Sequence, residues 1–226
     1  MLASAAGPLR FVQGLTVMAE MFKVTPARLE KILKMATDLI LSGKAVALPT
    51  DTLYGLAADP YNLAAVNEIN RIKRRTVERA LPLLVDSVDR AAEIAQNPPK
   101  LFFQLATKFW PGPLTLVVAA APGLPLKITG NTGKVGLRWP KAPFAEALIT
   151  ACGRALTGTS ANLTEKPPCT TAGEVLLQIG DAVPLIIDGG PTPAHVPSTV
   201  IELTGDHARL IRPGAIPESE LKDILK

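Results

Sequence analysis

The chain has 226 residues, 47% apolar and 19% charged, with a formal net charge of +4. That length suits one large domain or two small ones, and the apolar content supplies a core. No apolar run reaches membrane-span length, and two cysteines with two histidines lack the spacing for a zinc site or a disulfide framework, which leaves reduced cytoplasm as the default compartment.

Residues 1–24 read as an N-terminal lead: small and apolar, without the basic start of a signal peptide, and equally compatible with a partly disordered lead or an extra strand. A first helix is predicted from Thr25-Pro26, with Leu29, Ile32, Leu33, Ala36, Leu39 and Ile40 on one face and Gly43 as its stop. Ala45 to Leu48 reads as a buried strand. Asn62 caps a second helix whose apolar stripe is Leu63, Val66, Ile69 and Ile72. Leu81 to Val85 reads as a strand, Ser87 opens a helix, and Leu101 to Phe109 forms another before Trp110-Pro111-Gly112-Pro113. Leu114 to Ala119 and Val135 to Arg138 are strands, and Ala142 to Cys152 a helix. Leu156 leads into the Thr157–Asn162 loop. Ala172 to Ile179 is helical, and Leu185 to Ile187 is a strand entering an Asp188-Gly189-Gly190 turn. Thr199 to Leu203 and Arg209 to Ile211 form a hairpin across Thr204-Gly205-Asp206, and Glu218 to Lys226 a closing helix. The alternation predicts an α/β domain over residues 25–226: a single twisted mixed sheet flanked by helices.

Several segments bear chemistry. Pro49-Thr50-Asp51-Thr52-Leu53-Tyr54-Gly55-Leu56 puts hydroxyls, a carboxylate and an aromatic at a strand's carboxyl edge, where open α/β sheets bind ligands. Alone, it reads as a turn whose polar side chains satisfy local backbone. Arg71, Lys73, Arg74, Arg75 and Arg79 crowd a helix end. They read as a solvated, dipole-compensating run or as a phosphate clamp. Trp110–Thr115 is a rigid turn into a strand, and Arg138 ends an apolar strand where a guanidinium suits a carboxylate. Thr157-Gly158-Thr159-Ser160-Ala161-Asn162 lets backbone approach a ligand closely, yet neither a P-loop nor a dinucleotide fingerprint is present. Pro197–Val200 and Arg212-Pro213-Gly214 place hydroxyls and an arginine at the ends of late strands. Asn162-Leu163-Thr164 matches a glycosylation acceptor without other signs of secretion. Asp51 and Asp188 are each explained by turns, and His195 and His207 lack catalytic partners.

Taken in order, these segments resemble the YrdC-type threonylcarbamoyl-AMP synthase family in its single-domain form. The resemblance implies a concave basic face. It also implies condensation of L-threonine, bicarbonate and ATP to threonylcarbamoyl-AMP and pyrophosphate, with Mg2+ accompanying ATP. A partner threonylcarbamoyl transferase complex then modifies tRNA, and the subunit itself makes at most a weak tRNA contact. On this resemblance Lys73 and Arg75 are the catalytic pair and contact the ATP phosphates. Ser160, Asn162 and Arg212 hold the nucleotide. Thr50, Arg138 and Ser198 hold threonine, with Arg138 on its carboxylate. No protein metal site is expected.

The chain departs from the family pattern at Arg74 and Thr76, where Gly and Pro are frequent, at Ala80, where Pro is usual, and at Thr164-Glu165 after the Thr-Ser-Ala-Asn run. Lys134 stands where Thr is frequent, adding bulk and charge that bear on nucleotide affinity. The competing expectation is a non-enzymatic tRNA- or rRNA-binding module on the same fold, although the chain is poor in aromatics. A carbamoyl-transfer module of hydrogenase-maturation type lacks its accessory domains here.

Overall fold

The computed structural model describes residues 19–75, 79–222 and 224–225. Glu20–Lys23 form strand β1, inside the segment read as a lead. Helix α1 (Leu29–Leu41) starts later than expected, because Thr25 to Arg28 close a separate turn in which the Arg28 amide donates to Thr25 O (2.9 Å). At its far end Gly43 adopts φ +86°. The Gly43 amide donates to Ile40 O and the Lys44 amide to Leu39 O, the paired bonds that a left-handed residue after a helix makes possible. Strands β2 (Val46–Leu48) and β3 (Gly55–Ala57) follow, then helix α2 (Leu63–Ile72). Asn62 Oδ1 caps α2 by accepting from the Ala64 and Ala65 amides. Ala65, Val66, Ile69 and Ile72 are its buried face, whereas Leu63, expected in that stripe, is exposed.

Next come β4 (Leu83–Leu84), α3 (Val88–Ile94, capped by Ser87), α4 (Lys100–Phe109), β5 (Leu114–Ala119), α5 (Leu126–Thr129) and β6 (Lys134–Arg138). Helix α6 (Pro143–Cys152) leads to the short strands β7 (Leu156–Thr157) and β8 (Thr159–Ser160), where a loop was expected. Helix α7 (Ala172–Ile179), closed by a Thr171–Glu174 capping box, and β9 (Leu185–Asp188) precede the hairpin of β10 (Thr199–Thr204) and β11 (His207–Arg212). The expected closing helix is reduced to a 3-10 turn at Glu218–Glu220. Residue 223 and Lys226 lie outside the described residues.

The mixed α/β class holds, but the strands divide into two hydrogen-bonded sheets rather than one. The first runs β1-β9-β2-β3-β8 and the second β11-β10-β5-β6-β4-β7. Within the first, β9 is parallel to β1 and β2, while β3 is antiparallel to β2 and β8. In the second, β10 is parallel to β5, and β6 is antiparallel to β5. Side chains alternate across a strand. Thus Leu114, Leu116 and Val118 of β5, Val135 and Leu137 of β6, and Ile201 and Leu203 of β10 enter the main core. Their neighbours Thr115, Val117, Gly136, Arg138, Val200 and Glu202 face a cavity instead. A second apolar cluster packs α1 against α6, through Ile32, Ala36 and Ile40 with Ala145, Leu148 and Ile149.

Candidate active site

The cavity has a volume of about 790 Å³ and is lined from both sheets. The β2–β3 loop and β8 form one wall. The faces of β5, β6 and β10 with the end of β11 form the other, and Arg75, Arg79 and Pro82 approach from the chain after α2. Arg75, Arg79, Lys134, Arg138 and Arg212 line it, with Glu202 as the one carboxylate among the described lining residues.

Thr50 serves its own turn and the cavity together. Its hydroxyl donates to Leu53 O (2.7 Å), accepts from the Thr52 and Leu53 amides, and lies 3.0 Å from Thr52 Oγ1. The turn reading of this loop therefore describes its backbone, while its side chains still line the cavity. Asp51, read as a turn residue, instead accepts from Arg138 Nη2 at 2.5 Å. Arg138 Nη1 donates to Thr52 Oγ1 (2.8 Å) and Nε to Gly112 O (3.1 Å), while the Gly112 amide donates to Trp139 O (2.8 Å). The Trp110–Thr115 and Val135–Pro140 segments thus lock each other and fix the guanidinium. Burial pulls the Arg138 pKa below its ordinary value, and Asp51 opposes that shift. Asp188 is the turn residue expected, its carboxylate accepting from the Gly190 amide.

Beside Arg138, Thr115 Oγ1 and Ser198 Oγ lie 2.8 Å apart, and Arg212 Nη2 donates to Ser198 O (2.8 Å) and Oγ (3.2 Å). Close backbone packing brings these last two segments together. A Cβ on Gly214 would stand 2.4–2.5 Å from Pro197 O, Ser198 C and Thr199 N, leaving room for glycine alone.

The basic run resolves into separate duties. Arg71 pairs with Glu68 and Arg74 is exposed. Lys73 is buried, donating to Ser160 O, to Asn162 O (2.8 Å) and weakly to Asn162 Oδ1 (3.4 Å). It is not among the cavity-lining residues; it stands behind the Ser160–Asn162 backbone. Burial, then the neighbouring Arg75 charge, pushes its ammonium down to about 7 against a weaker pull from Cys169. Arg75 is half-buried in the cavity wall. Nη2 donates to Thr159 Oγ1 (3.2 Å), while Nε and Nη1 are buried without a hydrogen-bond partner among the described residues. Burial, then Arg79, lowers its pKa. Asn162 lines the cavity and spends its amide nitrogen on Leu163 O (2.8 Å) and Lys166 O (2.7 Å). Thr76 lies outside the described residues.

Of the eight residues expected at the site, the structure brings Thr50, Arg75, Arg138, Ser160, Asn162, Ser198 and Arg212 around one cavity and sets Lys73 directly behind it. Sequence reasoning missed Thr115 and Asp51 as partners of that set, and it missed Glu202. A lone carboxylate in the apolar run Val200-Ile201-Glu202-Leu203, two and four residues after cavity-facing positions, was the available signal for Glu202.

The Sua5/YciO/YrdC family model, described as telomere recombination, matches residues 38–214. A threonylcarbamoyl-AMP synthase of Pyrococcus abyssi is 37% identical over 193 residues, covering 85% of this chain and 57% of that protein. One from Enterobacter sp. (strain 638) is 34% identical, over 77% of this chain and 93% of that protein. Among solved structures, P. abyssi Sua5 complexed with L-threonine superposes with a TM-score of 0.87 at 35% identity, over 92% of this chain and 61% of that one. E. coli YciO, at 24% identity and a TM-score of 0.78, shares the fold.

Proposed function

Because the chain belongs to the Sua5/YciO/YrdC family, we propose that it condenses L-threonine, bicarbonate and ATP into L-threonylcarbamoyl-AMP and pyrophosphate. The observation that carries this reading is Arg75. It is a guanidinium held in a cavity wall with two buried donors unspent among the described residues, and that cavity also holds Thr50, Arg138, Ser198 and Arg212. Buried donors without partners are costly, and a phosphate oxygen satisfies them with charge-assisted bonds.

The YrdC-like domain expected over residues 25–226 also takes in β1, whose residues 20–23 pair with β9, and its cavity is the concave basic face. Threonine lies at the Arg138 end. Arg138 gives three of its five N–H donors to Asp51, Thr52 and Gly112, which fixes its plane and leaves donors for the amino acid carboxylate. Thr50 and Ser198 meet the threonine hydroxyl and amine. The amine and bicarbonate give a carbamate and water. A carbamate oxygen then attacks the α-phosphorus, and the bond to the β-phosphate bridging oxygen breaks, so pyrophosphate leaves. Nothing in this sequence requires an enzyme nucleophile; reactants are positioned and charge is stabilised. Arg75 and Arg212 take phosphate oxygens, and Ser160 and Asn162 line the nucleotide. Lys73 adds positive charge from behind the Ser160–Asn162 backbone. Among the described lining residues Glu202 is the one carboxylate, and Lys134 and Arg209 already hold it, so magnesium would come with the nucleotide as part of the substrate. The product passes to a tRNA-modifying transferase complex in the cytoplasm, with tRNA contact to this subunit weak.

Pyrophosphate release from ATP tests the reading. Release that requires both threonine and bicarbonate is expected. A folded protein that releases none, yet binds tRNA with steep salt dependence, is the outcome that replaces it by an RNA-binding module.

A further inference from the structure

The end of the cavity opposite the threonine residues has a floor and an edge of its own. Register sets Glu202 of β10 beside Val117 of β5, and Val117 beside Gly136 of β6. Val117, Val200 and Gly136 form the cavity floor. A Cβ on Gly136 would lie 3.2 Å from Thr115 Cγ2 and 3.5 Å from Pro82 Cβ, so glycine keeps this floor flat and low. Lys134, one step further along β6, reaches across β5 to Glu202, its Nζ 2.5 Å from Oε1. Arg209, opposite Glu202 on β11, binds the other carboxylate oxygen. Glu202 is 8% exposed and both it and Lys134 line the cavity, whereas Arg209 is not a lining residue. From Arg138 to Lys134 is four residues of strand, about 13 Å.

Resting on the synthase reading above, we infer that the Lys134–Glu202 pair selects the nucleobase of the nucleotide substrate. A planar base packs on the apolar floor, and its edge meets the pair. Arg209 takes both lone pairs of Glu202 Oε2 through Nε and Nη2, whereas Oε1 keeps one lone pair beside the Lys134 ammonium. Glu202 accepts from the 6-amino group of adenine, and the Lys134 ammonium donates to the adjacent ring nitrogen. Guanine presents a carbonyl oxygen at the 6-position, an acceptor facing a carboxylate, and is disfavoured. Arg209 is a positioning residue that holds Glu202 at the edge.

The test compares ATP with purine riboside triphosphate, which lacks the 6-amino group, and with GTP. Direct binding and threonine-dependent pyrophosphate release are both read. Wild type is expected to prefer ATP over both by about ten-fold or more, the size of one charge-assisted bond. Glu202→Met should bring ATP down to the level of purine riboside triphosphate. Lys134→Met, which leaves Glu202 on Arg209, should weaken both adenine-like ligands while keeping the preference for the 6-amino group. Equal binding of ATP and purine riboside triphosphate by wild type overturns the inference without any variant, as does an undiminished preference in folded Glu202→Met. Binding of no nucleotide by wild type instead removes the synthase reading and this one with it.

Discussion

Arg75 and Lys73 are two residues apart, yet burial acts on them differently. Arg75 has donors unspent among the described residues, so removing its charge relieves an unfavourable burial. Arg75→Ala is expected to leave the melting temperature unchanged or raise it, while weakening ATP binding at least about ten-fold. Thermal unfolding and calorimetric titration of one preparation check both halves. Lys73 has its donors spent, and its pKa of about 7 sets a pH dependence. Unfolded, Lys73 holds its proton up to the ordinary range near 10.5; folded, it releases it near 7. Between those values the unfolded state binds more protons, so this group makes stability rise with pH, by up to about 1.4 kcal/mol per unit. Urea unfolding at pH 7, 8 and 9.5 should show wild type gaining on Lys73→Met across that range. Tyr54, pushed up to about 12 by burial, works the other way, but only above pH 10. An identical pH slope in the two proteins would count against this account of Lys73.

The elements that position the site were unequally legible. Leu114–Ala119 and Ala172–Ile179 coincide with their expected bounds, because a six-residue apolar run and a capped amphipathic stretch carry their own period. Strands β3 and β8 were read as loops. Three and two residues are too few to show a period, and they become strands only by pairing, β3 with both β2 and β8 and β8 with β3. The residues expected at the site, seven of which line the cavity, were picked out through the order of motifs. Their partners were not, since the Asp51–Arg138 contact joins residues whose proximity no local pattern encodes. The contact of Gly214 with the Pro197–Thr199 backbone is an element-scale constraint of the same kind. Gly214→Ala is expected to cost more than about 2 kcal/mol and to lower nucleotide affinity, because relieving the overlap shifts Arg212 off Ser198. Chemical denaturation of the variant, with an ATP titration, measures both.

At the scale of the molecule, two sheets share one cavity, and the Asp51–Arg138 pair spans them, one partner on the β2–β3 loop and the other on β6. Removing one partner strands a buried charge, so Arg138→Met alone should cost about 3–5 kcal/mol, and Asp51→Asn together with Arg138→Met distinctly less than the sum of the singles. A double-mutant cycle reads that coupling; strict additivity would show that the sheets are not joined there. The single sheet expected from sequence became two because nothing in the order of strands and helices says which strands pair. The pairing of Glu20 with Leu185 is the extreme case. It also sets a timetable for a chain emerging from a ribosome. β9 lies between β1 and β2, so both strands leave the exit tunnel with a bare edge that stays open until Leu185 follows. Edges left open in that interval are where chaperones would engage and where nascent copies on neighbouring ribosomes would pair wrongly.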